Sequence, residues 1–541
     1  MKGYAALAGT LAEHGVESIF GVLGNGNMFT IGNWIAEHEG NYVAAANEAG
    51  AVLMAAGCAN AADRVGVATV TYGPGLANAL AALTSAARER SAVVVLSGDA
   101  VYAQRGHTQQ IDQAALVAPT GAGYEQALSP RSMAADLRRA LWRAAVERRP
   151  IVFSVSAEFT FAEVEGGAPA PRPVMGPGQR PSPDPAAMDA VVGLIASARR
   201  PLILAGAGAR TSAARVALER LANAIGAPLC TTLPAKGLFH GNEYDLGVLG
   251  SFSTPGTVEA IQAADCVIAV GAGLHRLTAG GDGWPYFQGK AVVQCDADPS
   301  ALGREYAIDA GVVADATAFA EMVVEWLAEA EHTATTFRTT LPHRGRAARW
   351  QDGAAAPGTV DIDQALLALN DALPPQRCIA LDGGRFASHA VAHLEVARPQ
   401  AWSCSFRGFG AVGNAVSTAI GMSCAAAGAP TVAVVGDGGF MLGGLAEFNT
   451  AVRHGLDLVV FVCNDGTYGS EYRKLKAREF DVRSCVFAWP EFAEVAESLG
   501  GRGFSIRNAD DLARLPAVIQ ERDRPLLIDV KLDPVSPAFT D

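Results

Sequence analysis

Residues 431–469 read TVAVVGDGGFMLGGLAEFNTAVRHGLDLVVFVCNDGTYG, and this stretch decides the fold. It predicts an apolar strand at 432–435, a glycine-rich break, a helix at 445–453 and a second apolar strand at 458–463. Two parallel strands joined by one crossover helix are neighbours in a doubly wound sheet, so their carboxyl ends meet at one edge. We therefore expect the polar residues that follow both strands to lie close together.

The first strand is followed by Gly436-Asp437-Gly438-Gly439 and the second by Asn464-Asp465-Gly466. Carboxylate and amide oxygens on short turns suit Mg²⁺, which binds few protein groups and completes its shell with phosphate and water. Glycines allow backbone N–H groups to approach a phosphate closely. Either turn alone is better explained as an ordinary Asp or Asn cap at a strand end. The two turns together, at this spacing, predict a site for a diphosphate and a metal ion.

The composition argues against several classes of protein. The chain has 541 residues, too many for one core, so we expect roughly two to four domains. Half of the residues are hydrophobic and 18% are charged, which is typical of a well-packed enzyme. The net charge of −13 argues against a nucleic acid partner, and no apolar run predicts a membrane span. The nine cysteines form no CxxC pair, which predicts reduced, buried thiols and a cytoplasmic protein.

Helical and strand patterns alternate along the chain, which predicts an α/β protein whose parallel sheets carry helices on both faces. Two segments rich in Pro, Gly and Arg, at about 166–185 and 336–360, are predicted to be linkers. We therefore expect three domains, at 1–165, 183–335 and 360–541.

The second domain contains Gly206-Ala207-Gly208 after an apolar strand, which could begin a dinucleotide-binding fingerprint. The third glycine position of that fingerprint is Thr211, and no acidic residue closes the next strand. We interpret the turn as a structural feature and keep a nicotinamide oxidoreductase as a less favoured alternative.

The order Gly-Asp-Gly, 25 residues, Asn-Asp resembles the thiamine diphosphate (ThDP) signature shared by acetolactate synthases, pyruvate oxidases and 2-oxo acid decarboxylases. The resemblance covers essentially the whole chain and implies three doubly wound parallel-sheet domains, in the order pyrimidine, central and diphosphate. It implies ThDP and Mg²⁺ as cofactors and a 2-oxo acid as substrate. It also implies active sites between the subunits of a homodimer or homotetramer, with Glu48 from one subunit and Asp437 and Asp465 from the other.

Two segments carry the resemblance at the N-terminal end. AANEAGAVLMAAGCANA at 45–61 resembles the family's glutamate segment, and TYGPGLANAL at 71–80 resembles the turn that follows it. By resemblance, Glu48 is a buried carboxyl that hydrogen-bonds N1′ of the aminopyrimidine and promotes removal of the C2 proton. Taken alone, it would be an ordinary acid at a helix N-terminus. The resemblance adds Gly73 and Asn78 beside the cofactor and Gln109, Asn25 and His107 beside the substrate, although His107 also fits a solvated loop.

The same resemblance assigns the C-terminal cofactor residues. The carbonyl of Gly410 would accept a hydrogen bond from the 4′-amino group. Val412 would support the bent cofactor, more loosely than the larger aliphatic residue of most relatives. The diphosphate turns would comprise Gly436, Asp437, Gly438, Gly439, Asp465, Thr467, Tyr468 and Gly469.

Asp437 is the least ambiguous metal ligand. Relatives carry Asn-Asn or Asn-Asp at the second turn, and the second residue tends to bind the metal, which favours Asp465 over Asn464. The carbonyl of Thr467 would be the third ligand. Glu471 lies where pyruvate and indolepyruvate decarboxylases carry a glutamate used in proton transfer, although a solvated acid in a first helical turn fits equally well.

The resemblance implies an acetolactate synthase-like decarboxylase or carboligase. The C2 ylide of ThDP would attack a 2-oxo acid, CO₂ would leave, and the enamine would be protonated or would add to a second carbonyl. One alternative is a ThDP-dependent hydrolase that cleaves a C–C bond of a cyclic dione. Another is a noncatalytic paralogue that acts as a binding or regulatory subunit. FAD in the central domain is doubtful, because residues 273–278 do not closely match the flavin-binding pattern.

Overall fold

The computed structural model describes residues 1–100, 106–164, 180–281, 285–341, 355–426 and 428–535. Most of the first predicted linker, and residues 342–354 of the second, lie outside these ranges. The chain divides into two compact units. One comprises Met1–Val174, Gly353–Ala387 and Ser403–Asp541, and the other comprises Met175–Asp352 and Ser388–Trp402.

The N-terminal part of the first unit is built on a six-stranded parallel sheet in the order β2-β1-β3-β4-β6-β5. Its strands are β1 (Ser18–Gly21), β2 (Asn41–Ala44), β3 (Gly66–Val70), β4 (Val93–Asp99), β5 (Gly123–Gln126) and β6 (Ile151–Ser156). Its helices are α1 (Gly3–Glu13), α2 (Met28–His38), α3 (Glu48–Ala62), α4 (Pro74–Asn78), α5 (Leu80–Arg88), α6 (Gln113–Val117), α7 (Met133–Glu147) and α8 (Ala157–Phe161).

The second unit contains its own six-stranded sheet in the order β12-β11-β10-β7-β8-β9. Its strands are β7 (Pro201–Ala205), β8 (Leu229–Thr231), β9 (Asp245–Val248), β10 (Cys266–Val270), β11 (Ala291–Asp296) and β12 (Ala310–Val313). Its helices are α9 (Pro185–Ser197), α10 (Ser212–Ile225), α11 (Pro255–Ala263), α12 (Ala316–Glu329) and α13 (Phe337–Thr340). The α13 turn lies in a segment predicted to be a linker, yet Phe337 is buried in the core of this unit.

The C-terminal sheet completes the first unit, in the order β14-β13-β15-β16-β18-β17. Its strands are β13 (Cys378–Leu381), β14 (Trp402–Cys404), β15 (Thr431–Gly436), β16 (Leu458–Asn464), β17 (Arg502–Ile506) and β18 (Leu526–Lys531). The helices of this region are α14 (Ile362–Ala372), α15 (Ala387–His393), α16 (Ala415–Ala425), α17 (Asp437–Gly439), α18 (Leu445–Arg453), α19 (Gly469–Ala477), α20 (Phe492–Ser498) and α21 (Ala509–Gln520). Ser388–Trp402, which we expected in the C-terminal domain, clusters with the second unit.

The three sheets confirm the predicted fold class. β15 and β16 pair in parallel from Thr431 with Leu458 to Gly436 with Cys463, so the turns after them share one edge. Both strands are buried almost throughout, as expected for a parallel sheet covered on both faces.

Helices α3 and α16 pack against each other in the first unit through glycines. A Cβ atom at Gly57 would overlap the carbonyl oxygen of Thr418, and one at Gly421 would overlap the carbonyl oxygen of Met54. The two backbones therefore approach to a distance that leaves no room for a side chain. This contact fixes the helix that begins at Glu48 against the C-terminal sheet layer.

The glycines of the second unit have a structural explanation. A Cβ atom at Gly206 or Gly208 would overlap the backbone of Gly271, because the turns after β7 and β10 cross closely. Close packing of two turns therefore accounts for the Gly-x-Gly pattern without a nucleotide. Within the part of the chain that the structure describes, no helix is long and apolar enough to span a membrane.

Candidate active site

Asp437 lies directly after β15 and is 3% exposed. Its Oδ1 accepts a hydrogen bond from the backbone N–H of Gly438 at 2.7 Å. Its Oδ2 accepts two more, from the backbone N–H of Gly466 at 2.7 Å and from the indole N–H of Trp489 at 3.0 Å. The carboxylate that follows β15 is therefore held directly against the turn that follows β16, as the βαβ pattern predicted.

Asp465 presents its carboxylate at the same edge. Its Oδ1 accepts from the backbone N–H of Thr467 at 2.9 Å and from the hydroxyl of that residue at 2.7 Å. Its Oδ2 accepts from Nε and Nη2 of Arg385 at 3.1 and 2.9 Å. A buried ion pair thus stands at the position for which we predicted a metal ligand.

Asn464 turns in another direction. Its Nδ2 donates to Oδ1 of Asp529 at 2.8 Å, beneath the edge of the sheet, and its side chain is buried. Its Oδ1 accepts from the N–H of Gly466 at 3.3 Å. The Asn464 side chain is thus engaged by Asp529 and Gly466.

The electrostatics of this edge fit a divalent cation. Burial, and next the Asp465 carboxylate, raise the pKa of Asp437 to about 7. A cation placed between two buried acids would offset the repulsion that this shift reflects. Among the described residues, no group of three or more His, Cys, Asp or Glu side chains is arranged to hold a metal. The donor set therefore suits an ion that takes a carbonyl and external phosphate oxygens as its remaining ligands.

The loop that carries Gly410 and Val412 is anchored from below by Asp382, which is fully buried. Oδ1 and Oδ2 of Asp382 accept from the N–H groups of Gly383 and Gly413, each at 2.8 Å, and burial raises its pKa to about 6. Gly410 has a φ of +73°, a conformation that favours glycine. Val412 is 43% exposed, so an apolar side chain projects from an otherwise fixed loop.

Tyr468 closes the second turn. Its ring lies 4.6 Å from that of Phe487, which stacks on Trp489 at 4.7 Å between ring centroids. A Cβ atom at Gly438 would overlap the Tyr468 ring, so a side chain there would displace the ring from its present position. The aromatic stack covers one side of the Asp437 turn.

Glu48 is the first residue of α3. The side chain of Asn47 caps this helix by accepting from the N–H of Gly50 at 2.7 Å. Oε2 of Glu48 accepts from Nδ2 of Asn78 at 3.2 Å. Glu48 is half-buried within the single chain, whereas the buried carboxyl is expected in a site formed between two subunits.

Three further predicted residues lie together at this end. Gly73 has a φ of +69°, and a Cβ atom there would overlap the carbonyl oxygen of Gln109. The backbone N–H of Gln109 lies 3.2 Å from Nδ1 of His107, whose ring is 5.5 Å from that of Tyr72. Asn25 is exposed at the tip of the turn after β1. The Gly73 turn and the Gln109 loop are therefore in direct contact.

Glu471 lies in the first turn of α19, a helix with no buried residue. Its side chain is 59% exposed, and its nearest charged partner is Lys474 at 3.9 Å. In the single chain it is a solvated helix acid. No hydrogen bond or ion pair within the described residues joins Glu48 to Asp437 or Asp465.

Sequence reasoning missed Glu447, Trp489 and Arg385. Glu447 is completely buried, and it accepts from the N–H of Ala46 at 3.2 and 3.1 Å and from that of Asn47 at 3.3 Å. A charged residue within the amphipathic segment 445–453 was the available signal. For Trp489 and Arg385 no local pattern in the sequence indicates a contact with the two turns.

Three family models match the chain. They are described as the thiamine pyrophosphate enzyme N-terminal TPP binding domain at residues 1–116, its central domain at 188–323 and its C-terminal TPP binding domain at 382–530. Together they cover more than half of the chain, in the order expected. The chain therefore belongs to the thiamine pyrophosphate enzymes.

Within this family the chain is acetolactate synthase-like. It is 28% identical to an acetolactate synthase large subunit of Parasynechococcus marenigrum over 557 aligned positions, covering 98% of this chain and 87% of that protein. It is 26% identical to a sulfoacetaldehyde acetyltransferase of Alcaligenes xylosoxydans over 547 positions, covering 94% and 88%. Relatives of this kind support an enzyme with a small-molecule substrate.

A solved structure shares the fold. Benzoylformate decarboxylase from Polynucleobacter necessarius superposes with a TM-score of 0.85 at 16% identity and covers 99% of both chains. At this identity the likeness shows a shared fold and nothing finer.

Proposed function

We propose that the chain is a ThDP- and Mg²⁺-dependent enzyme that removes CO₂ from a 2-oxo acid. The remaining fragment is released as an aldehyde or joined to a second carbonyl compound. The observation that carries the proposal is the buried pair of carboxylates, Asp437 and Asp465, at the carboxyl edge of the third sheet. The family membership supplies the cofactor that such an edge would bind.

Asp437, Asp465 and the carbonyl of Thr467 would hold the metal ion. The glycine turns at 436–439 and 466–469 would take the diphosphate, because they allow close backbone approach. When bound, ThDP supplies an electron-accepting ring that stabilises the charge left as CO₂ departs.

Glu48 would act on the other end of the cofactor. Its Oε2 already accepts from Asn78, so Oε1 is the atom that would share a proton with the aminopyrimidine. The Asn78 contact orients the Glu48 carboxylate. The Asn47 N-cap fixes the start of α3, from which the Glu48 side chain projects. Gln109 and His107, beside the Gly73 turn, are polar groups that would meet a substrate.

We further propose that each site combines two chains of a homodimer, or of a homotetramer built from such dimers. Several large apolar side chains near the diphosphate edge are exposed in the single chain, as expected of a surface that a second subunit covers. They are Phe409, Val412, Leu442, Phe480 and Val486.

Mixed subunits test this arrangement. Glu48→Gln and Asp437→Asn chains should each be inactive alone. When the two are mixed, they should form heterodimers in which one of the two sites is intact. Mixing should recover roughly a quarter of wild-type activity after random exchange. Failure of purified heterodimers to recover activity would place both residues in the site of a single chain.

The activity is tested with the purified chain, ThDP, Mg²⁺ and a panel of 2-oxo acids, with and without acceptor aldehydes that include sulfoacetaldehyde. CO₂ release and products are recorded together. Aldehyde alone identifies a decarboxylase, and a longer hydroxyketone identifies a carboligase. Absence of CO₂ with every 2-oxo acid would overturn the proposal.

A further inference from the structure

The Asp465–Arg385 pair is unusual in its position. The two side chains are 9% and 6% exposed, so the ion pair is buried beside the turn assigned to a metal ion. Nε and Nη2 of Arg385 both donate to Oδ2 of Asp465, and Nη2 also donates to the carbonyl of Asp533 at 3.0 Å. The guanidinium is thus fixed by the chain itself.

The other oxygen of the Asp465 carboxylate is held in place as well. Oδ1 of Asp465 accepts from the N–H and the hydroxyl of Thr467. A Cβ atom at Gly469 would lie 2.9 Å from Oδ2 of Asp465 and 3.2 Å from Nε of Arg385. The glycine therefore allows the ion pair to fit under the start of α19.

The net charge of the edge explains why an arginine would accompany an aspartate at position 465. When both are ionised, as a bound cation requires, Asp437 and Asp465 together carry two negative charges in a buried edge, where an amide in place of Asp465 would leave one. A buried charge is costly unless it is paired, and a buried ion pair is costly to break from one side. With Arg385 included, the edge again carries one net negative charge.

We propose that Arg385 is a positioning residue that sets the net charge of the metal turn, so that the Asp465–Arg385 pair presents an oxygen ligand to the cation as a nearly neutral unit. The inference rests on the proposed metal site and adds a residue to it. Removal of Arg385 should raise the negative charge at the edge and strengthen cation binding. Removal of the Asp465 charge should leave the positive charge of Arg385 without that carboxylate beside the cation and weaken cation binding.

Four variants separate this role from a merely structural one. They are Arg385→Met, Asp465→Asn, the double variant and Arg385→Lys, which keeps the charge without the fork. Binding of Mn²⁺ to the full chain, with saturating ThDP and at one fixed pH, is measured from the signal of the free ion in electron paramagnetic resonance. Mg²⁺ affinity follows by competition, and thermal melting confirms that each variant is folded.

We expect Arg385→Met to bind Mn²⁺ several-fold more tightly and Asp465→Asn to bind it at least about tenfold more weakly. The double variant should lie close to the wild-type protein, and Arg385→Lys should do the same. Weaker binding by a folded Arg385→Met, or a double variant no better than Asp465→Asn, would overturn the charge-setting role. Absence of Mn²⁺ binding by the wild-type protein would instead overturn the proposed metal site itself.

Discussion

Glu447 of the C-terminal region accepts hydrogen bonds from the backbone N–H of Ala46, two residues before Glu48. Its Oε1 also accepts from the N–H of Asn47 at 3.3 Å, and burial raises its pKa. The residue lies on α18, the crossover helix between the Asp437 turn and the Asp465 turn. One buried carboxylate therefore ties the segment that presents Glu48 to the βαβ unit that presents Asp437.

We expect Glu447→Ala to lower both stability and turnover. The substitution removes the acceptor of the Ala46 and Asn47 N–H groups, at a cost of about 0.5–1.5 kcal/mol for each hydrogen bond. It should also lower kcat more than it raises the KM for ThDP, because the start of α3 loses its anchor. Glu447→Gln, which keeps one acceptor oxygen, should lie between. Denaturant unfolding and steady-state kinetics measure the two effects; an unchanged kcat in a folded Glu447→Ala would show that the anchor is not needed.

Glu48→Gln should reduce turnover by at least about a thousandfold while leaving ThDP binding nearly unchanged, because a positioned proton-transfer group is lost and a similar shape is kept. Calorimetric titration with ThDP and the CO₂ assay provide the two measurements. The exposed Glu497 on α20 offers a matched control as Glu497→Gln. Near-full activity of the Glu48 variant would remove this residue from the mechanism.

The cofactor-free protein should lose stability as the pH rises. Folding raises the pKa of Asp437 from 3.8 to about 7, so the folded chain holds a proton that the unfolded chain has released. The free energy of unfolding therefore falls between about pH 4 and pH 7. Burial raises the pKa of Glu89 to about 7, which acts with the same sign.

We expect the melting temperature of this protein to fall by several degrees across that range, and Asp437→Asn to reduce the fall. The same variant should be more stable than the wild-type protein near pH 8 without cofactors, yet should lose metal binding. Scanning calorimetry at several pH values measures both. A melting temperature that rises with pH in this window would contradict the assignment.

Trp489→Phe should weaken Mg²⁺ binding about three- to tenfold, because it removes one hydrogen bond to the Asp437 carboxylate and keeps the stack on Phe487. It should also remove most of the change in tryptophan fluorescence on metal binding. Trp142→Phe, at an exposed position on α7, serves as the control. Equal fluorescence changes in both variants would mean that another tryptophan reports the metal.

Gly421→Ala should destabilise the chain by about 2 kcal/mol or more, because the added methyl group overlaps the Met54 carbonyl oxygen where α3 and α16 meet. Gly32→Ala, in α2 with open space around its Cβ, should stabilise it by about 0.5–1 kcal/mol. Denaturant unfolding measures both changes. A neutral Gly421→Ala would show that the two helices can separate without loss.

The sequence predicted the elements that depend on local pattern. The strands at β15 and β16 and the helix α18 follow from apolar periodicity, and the shared edge follows from parallel topology. Apolar periodicity depends only on residues that are close together in the sequence. The rest of the expected site came from the resemblance to the ThDP family.

The residues that complete the turns come from distant parts of the chain and could not be predicted in this way. Arg385 meets Asp465 after 80 residues, and Trp489 meets Asp437 after 52. Such contacts depend on the conformation of loops at the edge of the sheet, which the periodicity of apolar residues does not predict. The half-burial of Glu48 has a similar origin, since it depends on what surrounds the helix start and not on the sequence beside it.

One consequence concerns the segment between Asp437 and α18. Phe440–Gly444 forms a single π-helical turn, which accommodates one residue more than an α-helical turn would. The extra residue is taken up within this one turn, so the helical segments on either side keep their orientation. Removal of one residue from the turn should therefore leave an ordinary α-helical turn, with Glu447 still facing Ala46. A deletion at Ala446 removes a residue from the α-helix itself, so it would rotate Glu447 by roughly 100° away from Ala46 and uncouple the two halves of the protein.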